Sequence, residues 1–188
     1  MIDEKVRALV EQGHIAEAAT LTLETFGPEL RGYLRGTLGH AEEADDVFQE
    51  LSEAIWFGLP AFRFQCALRT WCYAIAHNRV VKRFSRYSRK NRVRLNTQDE
   101  GRLPARSLSS TLEAQHRASL AQTAAEALTP DQREILILRV ERRLSFREIA
   151  GVLGLPDEAA ARKRFQRAKD RLKQLVSAAQ EEEVEARL

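Results

Sequence analysis

The segment from Ser145 to Leu155 constrains the fold of this chain more than any other. Ser145 is followed three residues later by Glu148, and this spacing is the capping box that begins a helix. The apolar residues behind it recur three or four positions apart and give the helix one buried stripe. Gly154 is the residue type that ends helices. The segment therefore predicts a short helix followed by a tight turn.

A strongly basic stretch follows this turn and predicts a second helix. From Arg162 to Lys173 the chain carries seven positive charges against one acidic residue, Asp170. A solvated helical hairpin is the alternative, but it does not need so many positive charges. A helix in the major groove sets arginines against base edges and lysines against phosphates. The two segments together predict a DNA-binding helix-turn-helix.

The charge of the rest of the chain is divided into blocks, although the net charge is only +3. Residues 37–61 contain no lysine or arginine and are rich in acid. From Arg79 to Arg94 there are eight positive charges and no acid. A protein whose only partner is DNA has little use for the acidic block. The blocks therefore indicate two partners of opposite charge.

The acidic block is predicted to be a helix from Ala41 to Phe57. Acidic residues in its first turn are also favoured by the helix dipole, and that explanation alone could account for them. The dipole effect fades one turn later, where Asp46, Gln49 and Glu50 share a face. This face is a candidate docking surface for a basic partner.

A long helix from about Cys66 to Arg89 combines aromatic and basic residues. Trp71 and Tyr73 are followed by a basic series, which is a mixture used to grip a nucleic-acid backbone and stack on exposed bases. The alternative for Trp71 is a core position, because it is in register with neighbouring apolar residues. Nucleic-acid contact is the interpretation that we favour for the basic end.

Almost every other segment has helical periodicity, so we expect an all-α protein of two small domains joined by a flexible linker. A helix from Ile15 is expected to break or restart at Gly27–Pro28, and Thr129 with Gln132 forms a second cap signature. The polar, turn-rich stretch before residue 111 marks the linker. The predicted division is a first domain over 1–93, a linker over 94–111, a second domain over 112–179 and an acidic tail over 180–188.

No pattern for catalysis or cofactor binding is recognisable. The two cysteines and four histidines lack metal-ligand spacing, and no serine nucleophile or glycine-rich phosphate loop accompanies the carboxylates. We therefore expect no enzymatic activity, no metal and no cofactor. There is also no signal peptide and no apolar run of about 18 residues, so we expect a cytoplasmic protein without a membrane segment.

Three ordered motifs resemble those of extracytoplasmic-function sigma factors, the minimal two-domain class of the bacterial sigma-70 family. Residues 44–50, Ala-Asp-Asp-Val-Phe-Gln-Glu, are similar to the acidic segment of region 2.2. Residues 68–78 are similar to the tryptophan-containing segment of regions 2.3 and 2.4. Residues 128–139, 148–150 and 167–169 resemble parts of region 4. The resemblance covers nearly the whole chain.

This resemblance implies a sigma factor that recruits core RNA polymerase to promoters and helps to open the DNA, with an anti-sigma factor as its usual regulator. It implies that Asp46, Gln49 and Glu50 bind a basic coiled coil of the largest polymerase subunit. The residues implied for minus-10 DNA are Phe62, Arg63, Phe64, Trp71, Asn78, Arg79, Lys82, Arg83 and Arg86. Those implied for minus-35 DNA are Arg162, Lys163, Arg164, Gln166 and Arg167.

Two other classes of protein share some of these features. A dimeric helix-turn-helix regulator would bind a symmetric operator without polymerase and use the N-terminal half for oligomerisation or ligand binding. A helical antagonist that mimics one sigma domain is a third class, but it has no need for two basic, DNA-facing modules.

Overall fold

The computed structural model describes residues 1–91, 124–125 and 127–185, with side chains for 1–86, 124–125 and 127–181. Every regular element in these ranges is a helix, which confirms the all-α prediction. The predicted linker, 94–111, and the helix expected to resume near residue 112 lie outside the described residues. The same holds for 92–94 of the basic block and for 186–188 of the predicted acidic tail. No described helix is both long and apolar enough to cross a membrane.

The N-terminal half contains α1 (Ile2–Glu11), α2 (Ile15–Leu38), α3 (Ala41–Gly58) and α4 (Leu68–Asn91). A 3-10 turn, Leu59–Ala61, follows α3. The buried residues of α3 recur every three or four positions and pack into a core with α2 and α4; they are Ala44, Val47, Leu51 and Ile55. The largest fully buried side chains of this core are Leu30, Tyr33, Leu34, Leu51, Ile55, Leu59, Leu68 and Tyr73.

Helix α2 runs through Gly27–Pro28 without interruption, so the expected break there is wrong. Proline removes one backbone hydrogen bond, but Pro28 lies on the exposed side of the helix. Phe26 and Leu30 on either side of it belong to one buried stripe that a break would disrupt. Helix α3 also packs here, since a Cβ at Gly27 would make an ordinary van der Waals contact of 3.5 Å with the Phe48 ring. Packing therefore outweighs the local cost of the proline.

The C-terminal half contains α5 (Pro130–Leu136), a π-helical turn (Ile137–Glu141), α6 (Phe146–Val152) and α7 (Glu158–Glu185). Both predicted capping boxes are present. The Thr129 hydroxyl accepts a hydrogen bond from the Gln132 backbone N–H at 3.3 Å. The Ser145 hydroxyl accepts one from the Glu148 backbone N–H at 3.2 Å. Gly154 has φ +61°, a left-handed conformation that ends the helix, and α6 and α7 form the helix-turn-helix.

We expect Ser145→Ala to lower the free energy of unfolding by about 1 kcal/mol, because it leaves the Glu148 backbone N–H of α6 without its cap. Urea unfolding followed by circular dichroism measures this change. Ser177→Ala on the exposed surface of α7 is the control and should leave the free energy of unfolding nearly unchanged. Equal effects of the two substitutions would show that the cap contributes nothing specific.

Candidate nucleic-acid and protein interfaces

Two carboxylates near the start of α3 pair with cations of neighbouring helices. Asp45 Oδ1 lies 3.5 Å from Arg31 Nε, and Asp45 Oδ2 lies 3.2 Å from Arg35 Nη2, both on α2. Glu43 Oε1 accepts a hydrogen bond from Arg83 Nε of α4 at 2.6 Å. These ion pairs hold α3 between α2 and α4. The carboxylates of Asp45 and Glu43 are therefore already engaged in ion pairs within the molecule.

The residues predicted to bind polymerase lie together on the outward face of α3. Asp46 is 71% exposed at its side chain and lies 3.4 Å from Arg83 Nη2, a long contact. Gln49 is exposed and Glu50 is half-buried, at spacings of three and four residues that place all three on one side. We call this surface the acidic face. It presents carboxylate and amide groups to a partner.

Two aromatic side chains extend the acidic face at the C-terminal end of α3, and the sequence analysis did not select them. Trp56 is 41% exposed and Phe57 is 79% exposed. The signal for them was available, because both positions fall outside the buried stripe that ends at Ile55. Single exposed apolar residues are ordinary, but neighbouring exposed aromatic side chains form the kind of apolar patch that marks an interaction site.

The loop between α3 and α4 brings three aromatic rings together. The Phe62 ring stacks on Trp71 with centroids 4.6 Å apart and an interplanar angle of 22°. Phe64 packs against Phe62 at 4.5 Å and has φ 53°, a left-handed conformation rarely adopted by non-glycine residues. A Cβ at Gly58 would lie 2.9 Å from the Trp71 ring, so this close approach requires glycine.

A cavity of about 580 Å³ lies beside this stack, between the loop, the end of α3 and one face of α4. Cys66 is also on its wall, and partial burial together with nearby Asp3 raises the pKa of the thiol, so it stays protonated at neutral pH. The predicted minus-10 residues that line the cavity are Phe62, Arg63, Trp71, Asn78, Arg79 and Lys82. Aromatic and basic groups thus meet in one recess.

Three predicted minus-10 residues are not among those that line the cavity. Arg83 is turned toward the acid residues of α3 and is 23% exposed at its side chain. Phe64 lies beneath the guanidinium of Arg7, which is 4.7 Å from its ring centroid. Arg86 is exposed further along α4. At the basic end of α4, some side chains therefore line the cavity, one forms ion pairs with α3 and one is exposed to solvent.

Tyr73 was expected to interleave with the basic residues as a stacking group, and this prediction is wrong. Its side chain is fully buried and packs edge-on against Tyr33, with ring centroids 5.4 Å apart. Burial, reinforced by Glu29, raises the pKa of its hydroxyl. Tyr73 belongs to the face of α4 opposite the cavity, so it cannot reach a ligand there.

The start of α7 is fixed by a cap that the sequence analysis missed. Asp157 Oδ1 accepts a hydrogen bond at 2.7 Å from a backbone N–H in the first turn. Two of the predicted minus-35 residues make ion pairs. Arg162 Nη2 lies 2.7 Å from Glu158 Oε1, and Arg164 Nη2 lies 3.1 Å from Asp131 Oδ2 on α5. Only 29% of the Arg164 side chain is exposed.

The other predicted minus-35 residues point outward from α7. Lys163 and Arg167 are exposed and lie four residues apart on one side of the helix. Gln166 is exposed and donates a hydrogen bond to Asp170 at 2.9 Å. Lys163 and Arg167 are therefore the best-placed cations for phosphates or base edges.

Comparisons with known proteins match each half of the chain to a family model. The family model of Sigma-70 region 2 matches residues 22–90, and that of Sigma-70 region 4 matches residues 119–172. The chain is 31% identical over 134 residues to RNA polymerase sigma factor YlaC of Bacillus subtilis, covering 67% of this chain and 73% of that protein.

Two solved structures have the same fold. One is the sigma factor RpoE in complex with the anti-sigma factor NepR from Bartonella quintana, with 22% identity, a TM-score of 0.68 and coverage of 82% of this chain and 94% of that one. The other is CnrH in complex with the cytosolic domain of CnrY, with 25% identity and a TM-score of 0.66. The match covers 95% of this chain and 99% of that one.

Proposed function

Since the chain belongs to the sigma-70 family of RNA polymerase sigma factors, and within it to the extracytoplasmic-function class, we propose that it contacts core polymerase and the two promoter elements through three separate surfaces. The acidic face is the polymerase contact, the cavity beside Trp71 takes minus-10 DNA, and α7 takes minus-35 DNA. The single observation that carries this proposal is the separation on α3 and α4 of an acidic outward face from an aromatic and basic recess.

The polymerase contact depends on charge complementarity. The acidic face belongs to a stretch of 25 residues, 37–61, without a single lysine or arginine. A basic helical partner would meet Asp46 and Glu50 without repulsion from this helix, which favours fast and correctly oriented association. Gln49 adds a hydrogen-bonding group between them.

The cavity has the chemistry to hold an unpaired base of the minus-10 element. A flipped base needs a stacking surface and polar groups for its edge, and extruding it from the duplex costs a few kcal/mol. The stacked Phe62 and Trp71 rings give the wall a surface of low polarity. Arg63, Asn78 and Lys82, which also line the cavity, supply donors for the base and for its phosphates.

We expect Phe62→Ala to reduce the yield of open promoter complex by about tenfold, because base–aromatic stacking is worth about 1–3 kcal/mol per base. Fluorescence of 2-aminopurine in the minus-10 element measures the melted fraction. Phe62→Tyr retains the ring and should stay close to wild type. If Phe62→Ala melts the promoter normally, the base does not lie in this cavity.

The C-terminal half is proposed as a separate DNA-binding domain. In this division residues 1–93 bind core polymerase and minus-10 DNA, 112–179 bind minus-35 DNA, 94–111 link them and 180–188 form the acidic tail. Phosphate contacts of α7 position the domain, and its side chains in the groove supply sequence preference.

The remaining parts of the proposal concern regulation and location. One structural neighbour is solved in complex with the anti-sigma factor NepR and the other with the cytosolic domain of CnrY, which supports an anti-sigma factor as the regulator of this chain. Sigma factors are generally not enzymes, and we propose that this chain has no catalytic activity or cofactor of its own and acts in the cytoplasm. The polymerase performs the chemistry.

Transcription in vitro with purified core RNA polymerase on genomic fragments tests the proposed function. The expected result is initiation from a specific set of promoters only when this protein is added. A symmetric DNA footprint in the absence of polymerase, without stimulated initiation, would instead identify a dimeric regulator.

A further inference from the structure

Helix α1 is anchored in the core of the N-terminal half, although the sequence analysis gave it no functional residue. Its Val6 side chain is fully buried, and Ile2, Leu9 and Val10 pack against the same core. The helix also contacts α2. A helix fixed in this way is a rigid support for whatever its remaining side chains contact.

The start of α4 receives a hydrogen-bonding partner from α1. Backbone N–H groups in the first turn of a helix have no partner within that helix, and a side chain just before it usually accepts from one of them. The residue just before α4 is Ala67, which has no side-chain acceptor. Instead, Asp3 Oδ2 accepts a hydrogen bond from the Leu68 backbone N–H at 3.0 Å, from 65 positions away in the chain. The dipole of α4 also favours a carboxylate at this end.

One turn further along α1, Arg7 covers the loop that precedes α4. Its guanidinium carbon lies 4.7 Å from the centroid of the Phe64 ring, which is a cation–π contact. Phe64 has φ 53°, and a bulky residue keeps such a strained backbone only where its surroundings hold it. Asp3 and Arg7 are four residues apart, so they lie on the same side of α1. That side therefore contacts both the loop and the helix that follows it.

The contacts of α1 reach the cavity through a series of aromatic rings. Phe64 packs against Phe62, and the Phe62 ring stacks on Trp71. Phe62 and Trp71 line the cavity, whereas neither Asp3 nor Arg7 is among its lining residues. Any effect of Asp3 and Arg7 on a base in the cavity is therefore exerted through the position of the loop.

We propose that α1 positions the loop of residues 62–67 for minus-10 DNA, with Asp3 fixing the start of α4 and Arg7 holding Phe64. The inference rests on the proposed function, because it requires that the cavity takes minus-10 DNA. A base that enters a preformed cavity does not have to order the loop as it binds, so its affinity is higher. Asp3 and Arg7 are positioning residues, since they contact the loop and not the DNA.

The alternative role for Arg7 is a direct contact with a DNA phosphate, because the residue is exposed and positively charged. The two roles differ in their salt dependence. On single-stranded DNA, each phosphate contact adds about 0.7 to the slope of log affinity against log salt. A residue that only positions the loop adds nothing to this slope.

Binding of single-stranded DNA to the polymerase holoenzyme tests the positioning role. The probe is a fluorescein-labelled non-template strand across the minus-10 element of a promoter identified by transcription in vitro. Its bases are already unpaired, so its affinity reports on the cavity without the cost of melting. We expect Asp3→Ala to weaken binding by about fivefold and Arg7→Ala by about threefold, with the salt slope unchanged. Fluorescence anisotropy measures both quantities.

Lys5→Ala is the matched control for Arg7→Ala. Lys5 is exposed on the same helix, and its substitution removes the same charge, so this variant should bind the probe as wild type does. Asp3→Asn keeps an oxygen that can accept the Leu68 N–H, and it should recover most of the affinity that Asp3→Ala loses. All four variants should bind core polymerase with wild-type affinity. General damage to the fold would weaken that binding as well, because α3 packs against α4.

Hydrogen exchange in the free full-length protein tests the Asp3 contact without DNA or polymerase. Asp3→Ala should raise the exchange rate of the Leu68 amide by about fivefold, because this N–H loses its acceptor. Lys5→Ala should leave the rate unchanged. Nuclear magnetic resonance resolves this single amide. An unchanged Leu68 rate in Asp3→Ala would refute the role of Asp3 at the start of α4.

These measurements separate failure of the inference from failure of the proposed function. If the wild-type holoenzyme initiates transcription and binds the probe, but Asp3→Ala and Arg7→Ala bind it equally well, the inference is overturned and the proposed function stands. A salt slope lower by about 0.7 in Arg7→Ala would make Arg7 a DNA contact and would overturn its positioning role. If the wild type supports initiation at no promoter, the proposed function is wrong and the inference fails with it.

Discussion

Replacing Asp46, Gln49 and Glu50 together by alanine is expected to weaken binding to core RNA polymerase by about 100-fold, or about 2.7 kcal/mol. The three side chains form the centre of the acidic face. Their removal takes away two negative charges and the hydrogen-bonding amide between them. Charge pairs at the centre of an interface contribute more than pairs at its rim, because less water screens them.

The fold should survive this triple substitution. None of the three side chains is part of the buried core, and the ion pairs that hold α3 use Asp45 and Glu43 instead. Among the contacts of the described residues, the triple substitution removes the long one between Asp46 and Arg83, and such exposed pairs contribute little to stability. The thermal midpoint and the helical circular dichroism signal should therefore remain near wild type.

Glu17→Ala with Glu24→Ala is the matched control for polymerase binding. Both residues are exposed on α2, away from the acidic face, and the double substitution removes the same two negative charges. Surface plasmon resonance with immobilised core enzyme should show wild-type affinity for this control. Equal affinity of the triple variant and the control would exclude the acidic face as the polymerase contact.

Local signals in the sequence correctly predicted where two helices begin, after Thr129 and after Ser145. Each capping box satisfies backbone groups within four residues of itself, so the sequence near Thr129 and Ser145 contains all the information required. The acidic face was predictable for the same reason. Helical spacing alone places Asp46, Gln49 and Glu50 on one side, whatever packs behind them.

Partners from distant parts of the chain could not be predicted in this way. Arg83 and Arg164 belong to basic runs, but each is paired with an acidic residue of another helix. Tyr73 has the same local setting as a stacking residue, yet it is buried against Tyr33 of α2. Each of these outcomes depends on how helices cross, which the spacing within one helix does not determine.

Pairing between helices also determines which basic residues of α7 we expect to contact DNA. Lys163 and Arg167 are exposed, whereas the Arg164 side chain is 29% exposed and forms an ion pair with Asp131. We expect Lys163→Ala with Arg167→Ala to weaken binding of the polymerase holoenzyme to a minus-35 promoter by about 100-fold at physiological salt. Binding to core polymerase should not change, because the acidic face lies on α3.

The salt dependence of promoter binding distinguishes lost phosphate contacts from a damaged fold. Each phosphate contact adds about 0.9 to the slope of log affinity against log salt, so two lost contacts should lower its magnitude by about 1.8. Fluorescence anisotropy of labelled promoter DNA over a series of salt concentrations measures the slope. Arg164→Ala is the control, and it should leave the slope nearly unchanged because the Asp131 pair already engages its guanidinium. If Arg164→Ala lowers the magnitude of the slope more than the double variant does, Arg164 leaves Asp131 and contacts DNA in the groove. That result would contradict the assignment of the DNA contacts to Lys163 and Arg167.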